Sequence, residues 1–191
     1  MAERDFLTIV SGLPRSGTSM MMKMAEAGGI PVIVDNIRQA DEDNPKGYYE
    51  FEPVKKTKED ASWVAGSEGK CVKMVYRLLY DMPAGHEYRV LFMRRNLDEV
   101  LKSQEVMLER SGKKGGGLSD EQFKALFQKE IDQCLEWIDA QPNMKCLQVD
   151  YNRMLVDPQP LVEQINEFLG GGLDIEAMVG VVDPSLYRQR A

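Results

Sequence analysis

The segment Gly12-Leu13-Pro14-Arg15-Ser16-Gly17-Thr18-Ser19 restricts this chain more than any other. It follows Phe6-Leu7-Thr8-Ile9-Val10, an apolar, β-rich run that reads as a buried parallel strand. It opens a breaker-free stretch from Thr18 in which Met20, Met21, Met24 and Ala25 share one helical face, ended by Gly28-Gly29. A glycine-bounded turn between a strand end and a helix start gathers backbone N–H groups and a positive helix end at one point. That geometry suits an anion such as phosphate. The outer glycines stand at the G-x-x-x-x-G spacing of phosphate loops, but Thr18 takes the place of the lysine that nucleotide kinases and NTPases carry. The cation is instead Arg15, inside the loop. Such a loop suits one 5′-phosphate whose terminal group lies near Arg15; the bland alternative is a glycine turn.

The remaining pattern alternates. Ile30–Val34, Cys71–Val75, Tyr88–Met93 and Met144–Val149 read as further strands. Helices are expected from Glu52 to Val64 with Pro53 at the first position, along the stripe Leu97, Val100, Leu101, Met107, Leu108, and after the capping box of Ser119 and Gln122. A last helix is expected from Asp157-Pro158 to Phe168-Leu169-Gly170. The expected fold is α/β: three layers, a central, mainly parallel sheet of about five strands, helices on both faces, and one domain over residues 1–191. The polar stretch 35–51 reads as a long connection of the kind that is functional or mobile. Ser111–Gly117 reads as flexible, either a lid or a plain linker.

Composition excludes some partners. A net charge of −7 argues against a general nucleic-acid binder, though not against a small anion in a local positive field. No apolar run reaches membrane-span length and the first residues carry no signal core, so a cytoplasmic protein without membrane insertion is expected. Cys71, Cys134 and Cys146 are odd in number and without metal-ligand spacing, so reduced thiols and no metal site are expected.

A second segment sharpens the functional reading. Leu91-Phe92-Met93-Arg94-Arg95-Asn96 leads into a helix carrying Ser103, eight positions after Arg95. Arg95 stands at the carboxyl end of a strand, where open α/β sheets bind ligands, and guanidinium suits a phosphate dianion. With Leu13-Pro14-Arg15-Ser16-Gly17-Thr18 upstream, the chain resembles the P-loop sulfotransferases that use 3′-phosphoadenosine 5′-phosphosulfate (PAPS). The resemblance implies that Pro14, Arg15, Ser16, Gly17, Thr18 and Ser19 hold the 5′-phosphosulfate and that Arg95 and Ser103 hold the 3′-phosphate. It also implies Lys73 near the sulfuryl group, Tyr151 along the adenine and Arg188 against the 3′-phosphate; the C-terminal Gly-rich 3′-phosphate motif of cytosolic members is absent here, and Arg188 and Arg190 are its expected substitutes. Lys73 as a surface lysine and Tyr151 as a core tyrosine remain alternative readings of the residues alone.

The sequence departs from cytosolic members where they place a histidine base, two residues after the lysine; here that position is Val75. His86 lies in a turn before a strand and reads as a surface residue. A carboxylate must then accept the proton. Glu50, in Gly47-Tyr48-Tyr49-Glu50, is the expected base, with Glu52 as competitor and a solvated loop carboxylate as the plain alternative. Arg15, Glu50 and Lys73 are thus the expected catalytic residues. Tyr48, Tyr49 and Phe51 suggest an aromatic wall for a small-molecule, carbohydrate or peptide acceptor. The rival functions are a nucleotide-binding module of the same fold without activity, and a P-loop kinase or NTPase.

Overall fold

A computed structural model describes residues 4–35, 37, 47–110, 117 and 119–183. The strands β1 (Phe6–Gly12), β2 (Cys71–Lys73), β3 (Glu87–Arg94) and β4 (Met144–Asp150) form a four-stranded, all-parallel sheet in the order β2-β1-β3-β4. β1 is buried throughout and β3 is apolar and buried over Val90–Met93, as strands covered on both faces must be, while the edge strand β4 carries the exposed Lys145, Gln148 and Asp150. β1 pairs with β3 along its whole length, from Phe6 opposite Glu87 to Gly12 opposite Met93. Alternation divides the side chains. Phe6, Val10, Leu91 and Met93 enter one core, while Leu7, Ile9, Val90 and Phe92 enter the other.

Helices cover both faces. The first core is closed by α1 (Thr18–Ala27), α4 (Tyr151–Val156), α5 (Pro158–Phe168) and α6 (Ile175–Val179). The second is closed by α2 (Leu97–Arg110), α3 (Asp120–Asp139) and short 3-10 turns around Val54, Val64 and Leu79. Phe92, fully buried, contributes roughly 1.5–3 kcal/mol by its burial alone. Burial also pushes the Cys134 thiol up to about 11 and the Cys146 thiol up to about 12, and it raises Cys71 further, which favours the protonated thiol at all three.

The strand order locates the site. From β1 the chain moves outward to β2, then returns past β1 to β3 and continues to β4. The direction reverses between β1 and β3. A crevice opens at the carboxyl ends of strands at such a reversal, and ligands of open α/β sheets bind there. The Gly12–Ser19 loop leaves β1 at this point and Arg95 follows β3.

Two expectations need correction. The run Ile30–Val34 is not a strand, so the sheet has four strands and not about five. Only Val32 bridges Cys71, with the Cys71 N–H donating to the Pro31 carbonyl and the Ile33 N–H to the Cys71 carbonyl, both at 2.8 Å. The chain then leaves the edge, since the Asp35 N–H donates to the Glu50 carbonyl at 3.1 Å. Residues 52–64 form no single helix but 3-10 turns at Glu52–Lys56 and Ser62–Val64. The Thr57 hydroxyl takes the Val54 carbonyl at 2.8 Å and the Asp60 carboxylate takes the Ser62 N–H at 2.9 Å, both in competition with a helical ladder. The Ser111–Gly117 expectation falls, apart from Gly117, outside the described residues.

The capping box at the start of α3 is formed in full: Ser119 Oγ accepts the Gln122 N–H and Gln122 Oε1 accepts the Ser119 N–H. Ser119→Ala should therefore lower unfolding free energy by about 1 kcal/mol in urea denaturation. An unchanged midpoint would show that α3 is held by packing alone.

Candidate functional site

The loop after β1 turns through backbone conformations that exclude most side chains. Gly12 has φ 144° and Gly17 has φ 96°, and Arg15 is left-handed at φ 73°. A Cβ on Gly12 would lie 2.7 Å from Ser16 Oγ and 2.8 Å from the Met93 carbonyl oxygen. One on Gly17 would lie 2.3 Å from Cδ2 of the Tyr151 ring. Ser16 is buried and closes the turn, donating both its N–H (3.2 Å) and its hydroxyl (2.7 Å) to the Leu13 carbonyl. Gly17 is the N-cap of α1 and offers no side-chain cap. The first amides of a helix have no intrahelical acceptor, and a helix end of this kind can receive an external anion.

The two phosphate segments expected from the sequence meet here. Arg15 Nε donates to Ser103 Oγ at 2.9 Å, and Arg95 Nη1 donates to the Arg15 carbonyl at 3.0 Å. Arg95 Cζ lies 4.8 Å from the centroid of the Tyr151 ring, which backs the loop at Gly17. Tyr151 is 7% exposed, and burial raises its phenol above the ordinary value. Arg15, Gly17, Arg95, Ser103 and Tyr151 thus form one contiguous group at the carboxyl ends of β1 and β3. Arg188 and Arg190 lie outside the described residues.

Lys73, at the end of β2, and Ser19, in the first turn of α1, converge on a different point. Both donate to the Tyr48 carbonyl, Ser19 Oγ at 3.4 Å. This anchors the 47–50 segment beside the phosphate loop, two residues from Glu50. The Glu50 side chain is 20% exposed, with Lys55 Nζ 3.8 Å from its Oε2. Asp35 accepts the Glu52 N–H at 2.6 Å and the Ile37 N–H at 3.0 Å, and these backbone donors hold its carboxyl below the usual range. Tyr48, Tyr49 and Phe51 have separate partners. Tyr48 is buried with Lys73 Nζ 6.0 Å from its ring, Tyr49 donates to Glu26 at 2.7 Å, and Phe51 packs edge-on against Trp63 at 5.8 Å.

Val75 is 40% exposed. His86 lies at the opposite end of the sheet, before the first residue of β3, and contacts Glu68 at 3.3 Å. An eight-residue strand separates it from the loop by roughly 25 Å. Sequence reasoning missed three contributors. Glu99 pairs with Arg95 at 2.9 Å, Asn152 donates to Glu99 at 3.1 Å, and Gln104 donates to the Pro14 carbonyl at 3.1 Å. The i,i+4 spacing of Arg95 and Glu99 could have flagged the first. Asn152 and Gln104 are brought in by tertiary packing alone. Among the described residues no His, Cys, Asp or Glu group could hold a metal, and no helix is long and apolar enough to cross a membrane.

No protein-family model matches this chain, and no curated protein matches it in sequence. Among solved structures, it resembles a sulfotransferase domain from the curacin biosynthetic pathway, with a TM-score of 0.54, 14% identity, and coverage of 100% of this chain and 93% of that one. At that identity the likeness establishes the fold, an α/β architecture of P-loop type. A sugar kinase from a Janibacter species aligns at a TM-score of 0.39 and 14% identity, covering 95% of this chain and 97% of the other, too remote to carry an argument.

The Gly17 contact is directly testable. Gly17→Ala should destabilise the fold by about 2 kcal/mol, combining a strained φ with displacement of the Tyr151 ring. Tyr151→Ala in the same background should recover part of that loss in a double-mutant cycle. Strict additivity of the two substitutions would show that the ring does not press on the loop.

Proposed function

We propose that this protein is a sulfotransferase that takes its sulfuryl group from 3′-phosphoadenosine 5′-phosphosulfate and passes it to a hydroxyl or amine of a small-molecule, carbohydrate or peptide acceptor. The observation that carries the reading is the junction at the sheet's reversal point. There Arg15 reaches Ser103 at 2.9 Å and Arg95 reaches the Arg15 carbonyl at 3.0 Å. One helix N-terminus together with two arginines and a serine suits a nucleotide with phosphates at both its 5′ and 3′ positions. The fold shared with a sulfotransferase domain is compatible with it.

The residues fit such a donor. Gly12 and Gly17 leave no Cβ in the loop, and Tyr151 offers a ring beside it. The donor supplies an activated sulfuryl group on its 5′-phosphate. The amides of Gly17, Thr18 and Ser19 hold that phosphate at the positive end of α1, and the Ser16 N–H joins them only by sharing or releasing the Leu13 carbonyl. Arg95 and Ser103 bind the 3′-phosphate. Arg15 and Lys73 stabilise the charge that grows as the bond to the phosphate breaks, the kind of electrostatic effect that usually contributes most. Engaging the donor requires Lys73 to share or release the Tyr48 carbonyl it holds. Glu50, two residues along the same anchored segment, accepts the acceptor's proton. The second reading, a nucleotide-binding module without activity, is favoured by Val75 in place of a histidine base.

Two measurements test this. Calorimetry without magnesium should show 3′-phosphoadenosine 5′-phosphate binding at least about tenfold more tightly than adenosine 5′-phosphate, the scale of one charge-assisted phosphate contact. Equal affinity would remove the 3′-phosphate assignment, and a preference for ATP with magnesium would favour a kinase. Glu50→Gln should preserve that affinity while lowering turnover about a hundredfold or more. Wild-type turnover in this variant would exclude Glu50 as base. Tight nucleotide binding with no turnover across a broad acceptor panel would favour the binding module.

A further inference from the structure

We propose that Glu99 is a positioning residue of the nucleotide site, fixing the Arg95 guanidinium in the orientation that meets a 3′-phosphate; this rests on the donor reading above. Glu99 lies in the first turn of α2 and is 2% exposed. An acid so deeply buried needs strong partners. Its carboxylate accepts Arg95 Nε at 2.9 Å, and Asn152 Nδ2 lies 3.1 Å from each of its oxygens. The Asn152 Oδ1 atom accepts the Asn96 N–H at 3.1 Å, tying the start of α4 to the start of α2. Asn152 therefore holds the carboxylate and the backbone beside Arg95 at once.

Arg95 is consequently fixed in three ways. Glu99 takes its Nε, the Arg15 carbonyl takes Nη1 at 3.0 Å, and the Tyr151 ring lies 4.8 Å from Cζ. An arginine side chain otherwise samples many rotamers, and a guanidinium recognises phosphate through a planar fork whose direction matters. Restraining it before the ligand arrives removes that ordering cost from binding.

The electrostatic sign makes the inference sharp. A carboxylate at 2.9 Å cancels most of the Arg95 charge, which by itself weakens attraction for an anion. An uncharged residue there would leave the whole charge to the phosphate. The chain nevertheless places a buried acid at this position and ties it with amide and guanidinium donors. Arg15, whose Nε lies 2.9 Å from Ser103, is a second cation beside it. Positioning and charge cancellation predict opposite outcomes when Glu99 is neutralised.

The test uses the full chain with Glu99→Gln and Asn152→Ala. Calorimetry gives the ratio of affinities for 3′-phosphoadenosine 5′-phosphate and adenosine 5′-phosphate. Nitrogen-15 NMR without nucleotide follows hydrogen exchange at the Arg95 Nε–H. Glu99→Gln should lower the affinity ratio by about tenfold, the scale of a charge-assisted contact, and should accelerate the exchange. A ratio unchanged or raised would overturn the proposal, because charge relief would then outweigh orientation. If Glu99→Gln does not fold by thermal denaturation, Asn152→Ala carries the test, since it keeps the Arg95–Glu99 pair but loosens the carboxylate. A loss of about threefold in the ratio is expected there, and no loss overturns the proposal. If the wild-type protein does not prefer the 3′-phosphorylated nucleotide, the donor reading fails and exchange decides the positioning claim. Slow exchange in wild type and fast exchange in Glu99→Gln sustains Glu99 as the residue that fixes Arg95; equal exchange overturns it.

Discussion

The in-register pairing of β1 with β3 is the constraint on which the site depends. It runs from Phe6 opposite Glu87 to Gly12 opposite Met93 and brings two loops remote in sequence to one crevice. The pairing extends to the last residue of β1 because Gly12 carries no Cβ; one there would stand 2.8 Å from the Met93 carbonyl oxygen. A side chain there would press on that carbonyl and on Ser16 Oγ, where the Gly12–Ser19 loop leaves the sheet beside Arg95. The cores on either face, with Val10 and Leu91 on one side and Ile9 and Phe92 on the other, hold the register against slippage.

Electrostatics at the crevice oppose the charge of the whole. The chain carries a net charge of −7, yet Arg15 and Arg95 converge beside a helix N-terminus. The arrangement is orderly. Arg95 is paired with buried Glu99, which makes it a structural cation. Arg15 is tied through its carbonyl and its side chain, and its left-handed backbone persists because those contacts over-determine it. The 47–50 segment is attached to the same region through the Tyr48 carbonyl, so the candidate proton acceptor and the phosphate loop share an anchor. Tyr49 also has positive φ, at 52°, and its hydroxyl is held by Glu26 on α1.

Legibility followed the range of the forces involved. The strand–loop–helix at Phe6 to Ala27 is local, and its apolar run, glycine spacing and amphipathic helix were readable from the residues. So was the capping box of Ser119 and Gln122, which is complete within four residues. Ile30–Val34 looked the same as a strand, but pairing is a tertiary matter, and Val32 alone bridges Cys71. The 52–64 stretch failed for a local reason: Thr57 and Asp60 bond to nearby backbone and divert it from an α-helix. The short helices Tyr151–Val156 and Ile175–Val179 left too little periodicity to recognise, although Asp150 and Asp174 cap them.

The amino-acid sequence by itself determined the α/β alternation, the glycine-bounded turn of Gly12–Ser19 between a strand and a helix, and the presence of Arg95 and Ser103 in a strand-to-helix segment. These are short-range properties: hydrophobic period, backbone freedom at glycine, and residue chemistry. Only the tertiary structure decided that the sheet has four strands in the order β2-β1-β3-β4. It also decided that Arg15 reaches Ser103 across 88 positions of chain, and that Glu99 and Asn152 brace Arg95. A side-chain hydrogen bond discriminates distances of a few tenths of an ångström. Sequence spacing carries no such information until strand register and helix packing have placed both partners.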